Sequence, residues 1–162
     1  MIKHFGENMS KFEESLNFND IPLAGIISVI NRSNHMYLSS MLKNSEITFG
    51  QYPFLMNLYH KDKQTQKELA NTFKISEGTV ARALKKLEDN NLITREENKN
   101  NRREKIITIT KKGKELGQKF FYLDKKWEKE VLNSLDEEKQ VEFKKIAHEI
   151  ALKSSEIQHE KP

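Results

Sequence analysis

The stretch TQKELANTFKISEGTVARALKKLEDNNLITREENKNNRREKIITITKKG, residues 65–113, decides how this chain folds. Thr65 and Glu68 stand at the spacing of a capping box, in which the threonine oxygen takes a backbone N–H and the glutamate reaches back. A short helix follows, with Leu69, Ala70 and Phe73 as its inward face, and Lys74-Ile75 makes the turn. Ser76 then caps a helix over Glu77 to about Asp89. Its Val80, Leu84 and Leu87 recur at i, i+4 and i+7, one buried stripe. The opposite face holds Gly78, Thr79, Arg82, Lys85 and Lys86. Asn91 suits the left-handed conformation that ends a helix. Leu92–Arg95 and Ile106–Ile109 read as strands. Between them, Glu96–Lys105 is polar with three asparagines, the tip of a hairpin.

Working outward, Leu23, Ile26, Ile27, Ile30, Met36 and Leu38 keep helical spacing from Pro22 to about Leu42, and Pro22 suits a first turn. Thr48 and Gln51 have the spacing of another capping box. Pro53 about one turn into that helix predicts a kink. Downstream, Leu116, Phe120, Leu123, Trp127 and Val131 share one helical face. Asp136 caps a last helix with Glu137 and Glu138 in its first turn, where the helix dipole favours acids. Val141, Phe143, Ile146 and Ile150 carry that helix, with fraying expected from about Ser154. Residues 1–20 read as a polar arm with Phe5, Phe12 and Phe18. The fold class is mainly α with a small β-wing.

Composition narrows the function. No run of about 18 apolar residues exists, so no membrane span or membrane partner is expected. The first residues lack the apolar core of a signal peptide, and the chain contains no cysteine. A cytoplasmic protein without disulfides or thiolate metal sites fits these features. His4, His35, His60, His148 and His159 show no ligand spacing, so neither metal nor cofactor is expected. The net charge of +4 is localised. Residues 61–112 hold 14 Lys and Arg against 8 Asp and Glu, or +6, which leaves 14 against 16, or −2, elsewhere. A localised basic field is the electrostatic footprint of a polyanion partner.

The order helix, turn, helix, basic hairpin is that of a module placing one helix in the major groove of double-stranded DNA. The start of that helix must be small or polar, so that its backbone approaches the bases, and Ser76, Gly78 and Thr79 are. Long donors are needed further along. Arg82 is the candidate for bidentate reading of guanine, and Lys85 and Lys86 for phosphates. The N–H groups near Thr65 and Gln66 are placed for a phosphate. Lys105 adds charge to the hairpin. Arg102 and Arg103 should point to opposite sides, one bracing the hairpin and the other probing a narrow minor groove.

On these residues the chain resembles the MarR family of winged-helix transcription regulators. The matching segments are Thr65–Ala70, Gly78–Glu88, Leu92–Arg95, Arg102-Arg103 and Ile109–Gly113, and the helix order matches from about Pro22 to Ile157. The resemblance implies an obligate two-fold homodimer. It divides the chain into an N-terminal arm and dimerisation helix (1–46), a winged helix-turn-helix DNA-binding domain (47–112) and C-terminal dimerisation helices (113–162). It also implies that Arg103 enters the minor groove. Three positions depart from the family: Asn101 stands where Asp is usual, and Lys74 and Asn91 where glycine is common. Many members are released from DNA by small aromatic acids bound between the dimer body and the DNA-binding lobe. Candidates for such an effector site here are Arg32, His35, Tyr37 and Tyr52. Without cysteine, the family's peroxide-sensing chemistry is excluded.

The expected function is therefore a sequence-specific, double-stranded DNA-binding regulator, a repressor acting as a homodimer on a pseudo-palindromic operator and released by a small aromatic or phenolic ligand. The alternative is a winged-helix interaction module that docks a protein or RNA without ligand control. An enzyme is not expected, because no Gly-rich phosphate loop, nucleophile with adjacent base or paired carboxylates occur.

Overall fold

The computed structural model of the protein describes residues 21–43, 45–99 and 101–157. The side chains of Arg102 and Arg103 and the expected arm over residues 1–20 lie outside the described residues. The chain divides into two compact units, residues 1–117 and 118–162.

In the first unit, helix α1 spans Leu23–Leu42 with Pro22 at its N-cap. Helix α2 spans Tyr52–His60. Its start differs from expectation. The Gln51 side-chain oxygen accepts from both the Thr48 N–H and the Thr48 hydroxyl, at 2.9 and 2.8 Å. The Gln51 N–H goes to the Thr48 carbonyl instead of the hydroxyl. The residues thus form a turn, and the helix begins later, at Tyr52. Pro53 is then in the first turn, where its missing N–H has no partner to lose, so the expected kink has no cause.

Strand β1, Gln64–Thr65, pairs antiparallel with a later strand and has no sequence signature. Helices α3, Gln66–Phe73, and α4, Glu77–Asp89, follow as read from the sequence. Strands β2, Ile93–Asn98, and β3, Asn101–Ile109, complete a three-stranded sheet in the order β1-β3-β2. Both run further than expected, because most of the polar Glu96–Lys105 segment is itself paired, with Glu97 opposite Lys105. Strands exposed on both faces need no apolar alternation, so polarity hides them.

The core of this unit gathers Leu55 and Leu58 from α2, Leu69 from α3, Val80, Leu84 and Leu87 from α4, and Leu92, Ile93 and Ile107 from the sheet region, all nearly inaccessible to solvent. Each such side chain contributes about 1.5–3 kcal/mol. Burying one whole side of α4 therefore outweighs the weak helix propensity of Gly78, about 1 kcal/mol. Gln64 is also buried, and its Nε2 donates to Asn57 Oδ1 and the Lys61 carbonyl, both at 2.6 Å.

Helix α5 spans Lys111–Val131, and helix α6 spans Glu137–Ile157. In the second unit Asp136 accepts the Lys139 N–H at 2.9 Å, the cap read from the sequence. Lys144 and Lys125 both meet Glu128, at 2.5 and 3.3 Å. Of the segment expected to fray from Ser154, residues 154–157 are helical and the rest lies outside the described residues. The helix continues to Ile157, helped by a Lys153–Glu156 pair at 2.9 Å. Among the described residues, no helix is long and apolar enough to cross a membrane.

Candidate nucleic-acid interface

Helix α4 is 13 residues, about 20 Å long at 1.5 Å per residue. At about 100° per residue, Gly78, Arg82, Lys85 and Lys86 fall on one side and Val80, Leu84 and Leu87 on the other. The first set is exposed and the second buried. Ser76 caps the helix by accepting the Thr79 N–H at 3.2 Å. Its hydroxyl also stands 2.9 Å from Thr79 Oγ1, which accepts from Arg82 Nη2 at 3.2 Å. Lys85 pairs with Asp89 at 2.5 Å, and that carboxylate raises the ammonium above its usual value. Lys86 forms no ion pair among the described residues.

Both ends of this helix are anchored. At its start, Gln66 Nε2 donates to the Glu77 carbonyl at 3.2 Å, which ties α3 to α4. The Thr65 capping box is complete: Thr65 Oγ1 accepts the Glu68 N–H at 3.1 Å, and Glu68 Oε2 accepts the Thr65 N–H at 2.7 Å. That N–H holds the Glu68 carboxyl below its usual value. At the far end, Asn91 adopts the left-handed conformation, with φ 57°. Asn90 Nδ2 donates to the Glu46 carbonyl at 2.6 Å, and Lys112 Nζ reaches both the Glu46 carboxylate and the Asn90 carbonyl. Thr110 Oγ1 donates to the Asn91 carbonyl at 2.8 Å and accepts the Gly113 N–H at 3.0 Å. The end of α4 and the start of α5 thus share one hydrogen-bonded ring.

The sheet packs against the same helix. Arg95 on β2 stands 3.3 Å from Glu88 on α4, an ion pair whose alignment falls short of a hydrogen bond. Its Nε and Nη2 are sealed from solvent without a hydrogen-bond partner among the described residues. Arg95 lines a cleft of about 380 Å³ with Thr65, Gln66, Glu77, Lys105 and Ile107. On the other edge, Asp62 accepts the Ile109 and Lys63 N–H groups, both at 2.9 Å, and pairs with Lys114 at 3.4 Å. Partial burial pushes that carboxyl up, but the two N–H groups and Lys114 outweigh it and hold it below its usual value.

The model of the MarR family matches residues 47–105. The HTH-type transcriptional regulator BilQ of Clostridium symbiosum is 32% identical over 103 residues, which cover 64% of this chain and 72% of that protein. The chain belongs to the MarR family. A crystal structure of MarR superposes with a TM-score of 0.79 at 29% identity, covering 91% of this chain and all of that one. A MarR transcriptional regulator from Methanosarcina mazei Go1 superposes with a TM-score of 0.78, also at 29% identity, covering 83% and 97%. DNA-binding regulation of transcription is the function class this MarR-family chain shares.

Within this MarR-family fold the sequence candidates separate into groups. Ser76, Thr79 and Arg82 form one hydrogen-bonded chain along α4. Thr65 is buried and its N–H serves Glu68, so it is a cap, and Thr65, Gln66 and Lys105 border the cleft together with Glu77 at the start of α4. Arg102 and Arg103 belong to β3, with side chains outside the described residues. Asn101 opens β3 opposite Asn98. Among the effector candidates, His35 and Tyr52 flank Phe49, with ring centroids 4.1 and 6.3 Å from it. Arg32 is one turn from His35 on the same face. Tyr37, about 200° around the helix from His35, has a buried hydroxyl with no hydrogen-bond partner among the described residues and is not part of that group. Sequence reading missed Arg95, Glu46 and Asp89. Only Asp89 had a local signal, its i+4 spacing from Lys85.

Proposed function

We propose that the protein is a homodimeric, sequence-specific repressor that inserts α4 of each copy into successive major grooves of a pseudo-palindromic operator and occludes the promoter. The observation that carries this reading is the division of α4: Gly78, Thr79, Arg82, Lys85 and Lys86 are all exposed along one side while the other side is buried. In this reading Arg82 reads a base, Lys85 and Lys86 meet phosphates, and the wing arginines Arg102 and Arg103 enter the minor groove. Dimerisation is supported by apolar side chains left exposed in the single chain, Leu23, Ile27 and Ile30 on α1 and Val141, Phe143 and Ile146 on α6. The dimer body then comprises residues 1–46 and 113–162, with 47–112 as the DNA-binding part, and the protein acts in the cytoplasm.

Release by a small aromatic acid completes the proposal. The rings of His35, Phe49 and Tyr52 offer a face for an aromatic ligand. Binding of salicylate there would be lost in Tyr52→Ala and retained in Arg95→Ala.

Selection of bound sequences from random duplex DNA tests the main reading. The expected product is an inverted repeat with half-site centres about 10 bp apart or a multiple of that. An asymmetric motif, or no enrichment, would reject dimeric operator reading. Stronger competition by RNA than by duplex DNA would favour the docking module instead.

A further inference from the structure

Three polar contacts tie the start of α4 together. Thr79 Oγ1 accepts from Arg82 Nη2 at 3.2 Å and lies 2.9 Å from Ser76 Oγ, where either hydroxyl can donate. Ser76 Oγ also accepts the Thr79 N–H at 3.2 Å. Residues 76, 79 and 82 stand three apart, which stacks them along one helix face. All three are exposed, so nothing in the core holds them there.

Arg82 differs from its neighbours in how it is held. Lys85 is bound by the carboxylate of Asp89, and Arg95 by that of Glu88. Arg82 has no acidic partner among the described residues and is held by a neutral hydroxyl. Its full charge is retained, and one N–H contact leaves most of its five donors open. A long side chain that is already oriented loses less freedom on binding.

We propose that Thr79 is a positioning residue that fixes the guanidinium of Arg82 for base recognition, so that Thr79 sets sequence discrimination through Arg82. This rests on Arg82 being the base reader. The hydroxyl matters, and the methyl does not. Thr79→Val keeps the shape, the β-branch and the backbone N–H that Ser76 caps, and removes only the hydroxyl. Thr79→Ser keeps the hydroxyl.

The test measures affinity for the selected operator and for a scrambled duplex by fluorescence anisotropy, with thermal unfolding of each variant as a folding control. Thr79→Val is expected to lower the ratio of the two affinities about 3- to 10-fold, the effect of leaving one long side chain to be ordered on binding. Thr79→Ser is expected to restore it. In an Arg82→Ala background, Thr79→Val should change the ratio no further. An unchanged ratio in Thr79→Val, or an equal fall with and without Arg82, would overturn the positioning role while leaving Arg82 as reader. Equal losses on operator and scrambled DNA in Arg82→Ala alone would overturn both.

Discussion

Lys85 and Asp89 are 2.5 Å apart on the exposed side of α4, one turn from each other. A phosphate approaching Lys85 must compete with that carboxylate and is repelled by it. Asp89→Asn is therefore expected to raise affinity for duplex DNA about two- to fivefold at low salt, on operator and scrambled sequence alike. Weaker binding of this variant in anisotropy titrations would mean that Asp89 holds Lys85 where DNA needs it. Gly78 poses a different question at the same scale. A Cβ there would meet only Ser76 Oγ, at 3.9 Å. Nothing among the described residues requires glycine there, so a requirement for it would come from the groove. Gly78→Ala is expected to leave the unfolding temperature unchanged or raised, by up to about 1 kcal/mol in stability, while weakening operator binding at least about tenfold. If stability and affinity rise together, no base edge approaches that position.

At the scale of elements, the ends matter more than the middles. Gly113 stands where α5 leaves the sheet, and a Cβ there would lie 2.1 Å from the Leu92 carbonyl oxygen and 2.7 Å from Ile109 Cγ1. The first contact is backbone, so it cannot swing away. Gly113→Ala is expected to cost about 2 kcal/mol or more, seen as a lower midpoint in denaturant, and to loosen the ring joining α4 to α5. A midpoint unchanged from the parent would show that the junction relaxes freely. Lys74 ends α3 in the left-handed region with φ 52°, a conformation costing a residue with a Cβ about 1 kcal/mol. Lys74→Gly should stabilise the protein by about that amount, and a fall in thermal midpoint would instead assign the lysine side chain a structural role.

Element by element, legibility followed locality. The Thr65 box and the Ser76 cap were readable because cap and partner lie within three residues. The Thr48 segment has the same spacing and folds otherwise, because its carbonyl takes the N–H that the hydroxyl would have taken. Strand β1 is two residues long and exists only because β3 runs beside it. The wing strands were underestimated for the same reason: their polar residues are held by pairing, which no single-strand pattern encodes.

For the whole molecule, the apolar residues left exposed on α1 and α6 are the least explained by the single chain. In the proposed dimer they are covered. Equilibrium sedimentation is expected to give twice the chain mass of 19.1 kDa. Ile27→Lys combined with Ile146→Lys should give monomers that have lost operator binding, because only the dimer spaces two copies of α4. Folded monomers that still bind the full operator tightly would remove the dimer from the mechanism. Binding of the parent should fall by roughly 10³-fold or more between 50 and 200 mM salt, as neutralising 6–10 phosphates requires.

The sequence alone determined α3 and α4, the buried side of α4 and the residues opposite it, because periodicity and capping are relations between near neighbours. It also located the positive charge in residues 61–112. Tertiary structure decided the rest: the enclosure of Arg95 beside Glu88, the ring of Glu46, Asn90 and Lys112, and the cleft between α3, α4 and the wing. The ring and the cleft depend on residues far apart in the chain, Glu46 and Lys112 above all, and the Arg95–Glu88 pair on how β2 returns along α4. Their meeting follows from how the core packs, which no local pattern specifies.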